Sequence, residues 1–194
     1  MHIVHGLRRH LRASRAGFTV LEVTISATVL VVGVLGMVTS VAASLKLVEA
    51  NREMMVAHQA ARALAEQMQN GNFSQVFAEY NTVTSDDPAG AGRGHGATFD
   101  VPGLRTTSED CEEAQRAGGT ASVGAIEFPT QGTALSESVV DAALGMPRDL
   151  NGDGVITSGA MPGSYLVLPV RIRLRWSGTA GTRTMTFQTL LVNR

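Results

Sequence analysis

One cysteine, Cys111, is present among 194 residues, so no intrachain disulfide can form and packing must stabilise the fold. Aromatic residues make up only 5% while glycines number 21, a balance that predicts long connecting loops. The net charge of -1 exerts no overall pull on nucleic acid or anionic lipid. No nucleophile–base–acid set, zinc-ligand spacing or phosphate-binding glycine loop is present, which disfavours an enzyme. Charge is also missing locally. No acid precedes Glu22, and no Asp, Glu, Lys or Arg occurs from Val23 to Leu45.

What is present at the N-terminus follows from these gaps. Arg8, Arg9, Arg12 and Arg15 form a basic stretch immediately before the apolar run. That order is a membrane-targeting layout with the positive side in the cytoplasm. As a helix, Phe18 to Val41 would span roughly 36 Å, enough for a bilayer core of about 30 Å. A cleaved secretory signal would use the small residues Val41-Ala42-Ala43 before Ser44, but the apolar run exceeds the usual signal core of about 7–15 residues. An uncut anchor fits the length. Neither reading explains Glu22, because an ionisable group in a membrane segment costs at least about 2.5–3.5 kcal/mol and requires a partner.

The segment Arg15-Ala16-Gly17-Phe18-Thr19-Val20-Leu21-Glu22 resembles the cleavage motif of type IV pilin-like prepilins. The resemblance implies that a prepilin peptidase cuts between Gly17 and Phe18, that Phe18 is then N-methylated, and that Glu22 serves assembly. The chemistry agrees. Cleavage would create a cationic amine on Phe18, four residues from Glu22 on one helical face. In a bundle of such helices, Glu22 of one subunit can meet the Phe18 amine of another. The other reading of Glu22 is a side chain that snorkels to the interface.

Three segments follow: a leader over 1–17, a long helix over 18–70 whose transmembrane and polymerisation half is 18–45, and a head over 71–194. Leu47, Met54, Ala57, Ala61, Leu64 and Met68 recur at spacings of seven, three and four, one face of a helix that stops at Asn70-Gly71. Asn72 to Tyr80 reads as a short helix, Ser85 to Gly96 as loop, and Ala97 to Leu104 and Ser122 to Phe128 as strands. The clearest β signal is C-terminal. Val170, Ile172, Leu174 and Trp176 alternate with Arg171, Arg173 and Arg175. After a turn over Ser177 to Gly181, Met185 and Phe187 alternate with polar residues. This predicts a long antiparallel hairpin with one apolar face. The expected class is α+β, a long N-terminal helix spine packed against a C-terminal antiparallel sheet. The arginines read as the solvent side of a strand, protecting an edge. No aromatic interleaves with them to stack bases, which disfavours nucleic acid.

Asp149-Leu150-Asn151-Gly152-Asp153-Gly154 matches the opening of a calcium-loop pattern, with Val155 offering its carbonyl. The twelfth position is Ala160 instead of Glu, so Asp141 or another acid would have to complete the site. An Asx-rich turn without metal has the same composition.

The expected function is structural: a minor pilin or pseudopilin of a pilus-like or secretion filament. Its implied partners are the prepilin peptidase, other pilins or pseudopilins, an inner-membrane assembly platform and, before assembly, membrane lipid. Its expected place is the bacterial cytoplasmic membrane as a single-pass chain with the head outside, then a periplasmic or surface filament. A DNA-uptake or adhesion subunit and a signal-anchored enzyme or receptor are the alternatives.

Overall fold

The computed structural model describes Gly17, residues 19–161 and residues 164–193. The leader before Gly17, and Phe18 with its expected cleavage and methylation, lie outside these residues. By internal contacts the chain divides into two units, residues up to Ser44 and residues from Leu45 onward.

Helix α1 runs from Val20 to Asn70. In the first unit its residues are solvent-exposed on every side. An 18-residue window in α1 reaches a mean hydropathy of 2.2, so the helix is long and apolar enough to cross a membrane. Gly33 and Gly36 leave open space around them and do not interrupt it.

The second unit is α+β. Four antiparallel strands lie in the order β1 (Thr98–Phe99), β2 (Gly124–Glu127), β5 (Val167–Gly178), β6 (Gly181–Val192). A separate two-stranded ribbon pairs β3 (Thr130–Gln131) with β4 (Ala134–Leu135). The hairpin pairs one-to-one from Val167↔Val192 to Gly178↔Gly181. Its turn is therefore tighter than expected, with only Thr179 and Ala180 outside the ladder. The inward residues Val170, Ile172, Leu174 and Trp176 are fully buried, because strand periodicity sends every second side chain to one face.

The α1 stripe that meets this core is Ala57, Ala61, Ala65 and Met68, with Met54 and Leu64 partly buried beside it. Leu47, expected on that face, is 62% exposed, whereas Ala50 is buried. Small alanines let bulky strand residues such as Trp176 approach the helix closely. Helix α2 (Phe73–Tyr80) joins the core through Val76 and Tyr80. The Tyr165 hydroxyl ties it down, donating to the Phe73 carbonyl at 2.7 Å and accepting from the Phe77 amide at 3.1 Å.

One expectation changes, and a further helix is present. The strand expected over Ala97–Leu104 shrinks to Thr98–Phe99, since Gly103 turns the chain with φ +90 and Asp100 caps the Val123 amide instead of extending the strand. The acidic segment around Cys111 is a helix, α3 (Ser108–Arg116), started by Thr107, whose hydroxyl accepts from the Asp110 amide. That Thr-x-x-Asp spacing is an N-cap signal.

Candidate functional site

The first candidate region is the start of α1. Thr19 caps the helix: its hydroxyl accepts the Glu22 amide at 3.2 Å. Thr19-Val20-Leu21-Glu22 is thus a capping-box sequence, with a carboxylate in the first turn where the helix dipole favours it. This local role for Glu22 is a structural alternative to intersubunit pairing. Gly17 and Glu22 are both exposed.

The second region is the outer face of the sheet. Contrary to the edge-protection reading, β5 is an interior strand, and its arginines are neutralised by acids from other elements. Arg171, only 14% exposed in its side chain, contacts Glu127 at 3.1 Å and Asp141 at 2.7 Å. Arg173 contacts Glu127 at 3.2 Å. Arg175 grips Glu109 and Asp110, which α3 brings over the strand. Hydrogen bonding to Arg171 holds Asp141 below the usual carboxylate range despite partial burial. Asp141 is consequently engaged with β5 and does not complete the 149–155 loop. A cavity of about 390 Å³ beside Arg171 is lined by Asn81, Glu127, Phe128 and Asp141 and contains no His, Cys or Ser. Cys111 makes a 3.2 Å contact with the Thr106 hydroxyl.

The third region is the 149–157 loop. Asp149 accepts the Gly152 amide at 2.6 Å and the Gly154 amide at 2.7 Å, one on each oxygen. Gly154 takes φ +86, the conformation expected of it. Asn151 donates to Asp153 at 2.9 Å, and the Val155 amide donates to Asp153 at 2.8 Å. Ligating through one oxygen each, Asp149, Asn151, Asp153 and the Val155 carbonyl would supply four of the about six to eight oxygens calcium takes. Among the described residues no three His, Cys, Asp or Glu side chains converge as a metal site. The loop is closed by its own Asx hydrogen bonds, so these residues do not by themselves fit calcium.

The organiser of that loop is a residue the sequence reading missed. Glu137 is 0% exposed. One carboxylate oxygen accepts the Leu150 amide at 2.8 Å and the Asn151 amide at 3.3 Å; the other accepts the Thr157 amide at 2.9 Å and hydroxyl at 2.8 Å. Burial alone would raise its pKa, but these donors outweigh burial and bring it below the ordinary value.

Glu53 on α1 is the second missed residue. It accepts from the Thr179 hydroxyl at 2.7 Å, the Thr179 amide at 2.9 Å and the Trp176 indole at 3.3 Å, fastening the hairpin turn to the helix. Gly178 leaves room for this carboxylate; a Cβ there would collide with it. Burial pushes the Glu53 pKa up, but the Thr179 and Trp176 bonds and the Arg183 charge pull it below the ordinary 4.5. Glu53→Ala is expected to cost about 1–3 kcal/mol, since it strands the donors it leaves behind. Urea unfolding of the detergent-solubilised chain would show this. Because the folded pKa is lowered, the contribution is present above the ordinary value and lost as pH falls below about 4.5. The gap between wild type and variant should therefore narrow in acid.

No family model matches this chain, and neither does any curated protein or solved structure.

Proposed function

We propose that the chain is the precursor of a pilin-like subunit, cleaved after Gly17, anchored by α1 and assembled through that helix into a pilus-like or secretion filament. The observation that carries this reading is the conjunction of the Gly17-Phe18-Thr19-Val20-Leu21-Glu22 motif with the start of a 51-residue helix. The motif places a cut and a carboxylate at the helix N-terminus. The helix then supplies an uncharged, fully exposed apolar surface that lipid or neighbouring helices must cover. A free-standing soluble domain has no use for such a surface, and a plain anchor has no use for Glu22.

The head supports a scaffold role. The outer arginines of β5 are paired with acids, so this face of the sheet presents little unmatched positive charge to nucleic acid. Peptidase, assembly platform and fellow subunits are the partners this reading entails.

The test is the intact mass and N-terminal residue of chain recovered from membranes with and without a prepilin peptidase. The expected result is a peptidase-dependent start at Phe18, with the mass of an added methyl group. A start at Ser44, or an uncut Met1 beside an active peptidase, would overturn the proposal.

A further inference from the structure

The chain contains two Asn-Gly pairs, Asn70-Gly71 and Asn151-Gly152. Asparagine is chemically weakest in this setting, because glycine has no side chain to hinder attack by its own backbone nitrogen. At the end of α1 the helix ladder holds the first pair: the Gly71 amide donates to the Gln67 carbonyl at 3.1 Å. The second pair lies outside every helix and strand. Gly152 is itself required there. Its φ is +80, and a Cβ would press on Leu166 Cδ1 at 2.8 Å. The loop therefore keeps a reactive pair that no backbone ladder protects.

The reaction open to such a pair is deamidation. The Gly152 nitrogen bonds to Asn151 Cγ, and the carboxamide nitrogen leaves as ammonia, taking the amide proton. Water then opens the succinimide at either carbonyl to give Asp or isoAsp, with no change of oxidation state. Every group this needs is already engaged. The Gly152 N–H donates to one Asp149 oxygen at 2.6 Å. The Asn151 carboxamide nitrogen donates to the Asp153 carboxylate at 2.9 Å, and its oxygen accepts the Asp153 amide at 2.9 Å. Glu137 fixes the backbone just before the pair through the Leu150 and Asn151 amides. We propose that Asn151 is a latent deamidation site, held closed by the Asp149 and Asp153 carboxylates. The acidic residues of the loop thereby have a role that needs no metal.

Both products open the loop further. Deamidation puts a third carboxylate between Asp149 and Asp153, where like charges repel. The isoAsp form also lengthens the backbone by one carbon between residues 151 and 152, which draws the Gly152 and Gly154 amides off the two Asp149 oxygens. The bond to Asp149 is charge-assisted and must break before the nitrogen can attack, so its free energy adds to the barrier. Losing that bond alone should speed the reaction about tenfold.

The experiment holds the full detergent-solubilised chain at mildly alkaline pH, folded or in urea, and follows the tryptic peptide of residues 149–171 by mass spectrometry. In urea Asn151 should deamidate and split into Asp and isoAsp forms. The folded wild type should react at least about tenfold more slowly. Asp149→Ala should raise the folded rate about tenfold, with its urea midpoint, read by Trp176 fluorescence, as the check on folding. Asp153→Ala, at an exposed position, frees only the carboxamide nitrogen and should raise the rate less. A folded wild type as fast as the chain in urea would overturn the proposal. So would a rate unchanged or slowed in Asp149→Ala, since Asp149 would then be idle or a base drawing off the amide proton. If Asp149→Ala lowers the midpoint, Asp153→Ala decides, and an unchanged rate there overturns the proposal.

Discussion

On the proposed pilin reading, Glu22→Gln is expected to abolish incorporation of the mature chain into filaments while cleavage after Gly17 proceeds normally. The choice of glutamine decides between the two roles open to this residue. Thr19 caps the helix by accepting the backbone amide of position 22, which Gln keeps, so helix initiation is preserved. What Gln cannot do is neutralise the amine that the proposed cleavage would create on a neighbouring subunit's Phe18. In a desolvated helix bundle that amine would be left without its counter-charge. Removing one member of a buried ion pair costs about 3–5 kcal/mol, a loss of more than a hundredfold in association. Sheared filaments and membranes, blotted for the chain, would show the mature subunit retained in the membrane and absent from filaments. Wild-type levels of Glu22→Gln in filaments would reduce Glu22 to a helix cap and remove the strongest support for assembly through this residue.

The parts of the fold legible in the sequence are those whose signal is local and periodic. Alternation from Val170 to Trp176 marked β5, and the apolar run followed by the Ala57/Ala61/Met68 stripe marked α1. The parts that were not legible depend on what arrives from far along the chain. Arg171, Arg173 and Arg175 read as a solvent face because their acids come from positions 109, 110, 127 and 141, and no spacing rule links them. Leu47 matched the helical repeat yet is exposed, because a repeat identifies a face but not how far the head extends along it. The capping signals Thr107-x-x-Asp110 and Thr19-x-x-Glu22 were readable and were passed over. Glu53 and Glu137 carried no local signal: their donors lie 123 or more and 13 or more residues away. In Glu137 the same long-range dependence makes one side chain decisive for the head.

Glu137→Ala is expected to unfold or severely loosen the head. Four donors converge on this carboxylate: the amides of Leu150, Asn151 and Thr157 and the Thr157 hydroxyl. Alanine leaves them without an acceptor around a fully buried position, and the loop cannot simply rotate the Leu150 amide to water while Leu150 remains in the core. The Leu150 amide is buried and Asn151 half-buried, whereas Thr157 is exposed and can turn its donors to water, so with about 1–3 kcal/mol for each donor left stranded the loss should be about 2–4 kcal/mol, a sizeable share of the stability of an ordinary domain. Glu137→Gln retains one acceptor oxygen and turns the other into a donor facing donors, so it should fall between wild type and alanine. Urea midpoints of the full chain, followed by Trp176 fluorescence, would rank the three. The pH dependence has a fixed sign. The folded pKa of Glu137 is lowered, so its contribution is complete above the ordinary glutamate value and lost as pH falls below about 4.5. Wild type should weaken in that range, and Glu137→Ala, which keeps the lowered Glu53 and Asp141 carboxylates, should weaken less steeply. Adding calcium or a chelator should leave the wild-type midpoint unmoved, because the loop is already closed by Asp149 and Glu137 hydrogen bonds. A midpoint that rises with calcium would show that Asp149, Asn151 and Asp153 hold the ion after all, since a ligand that binds only the folded state must stabilise it.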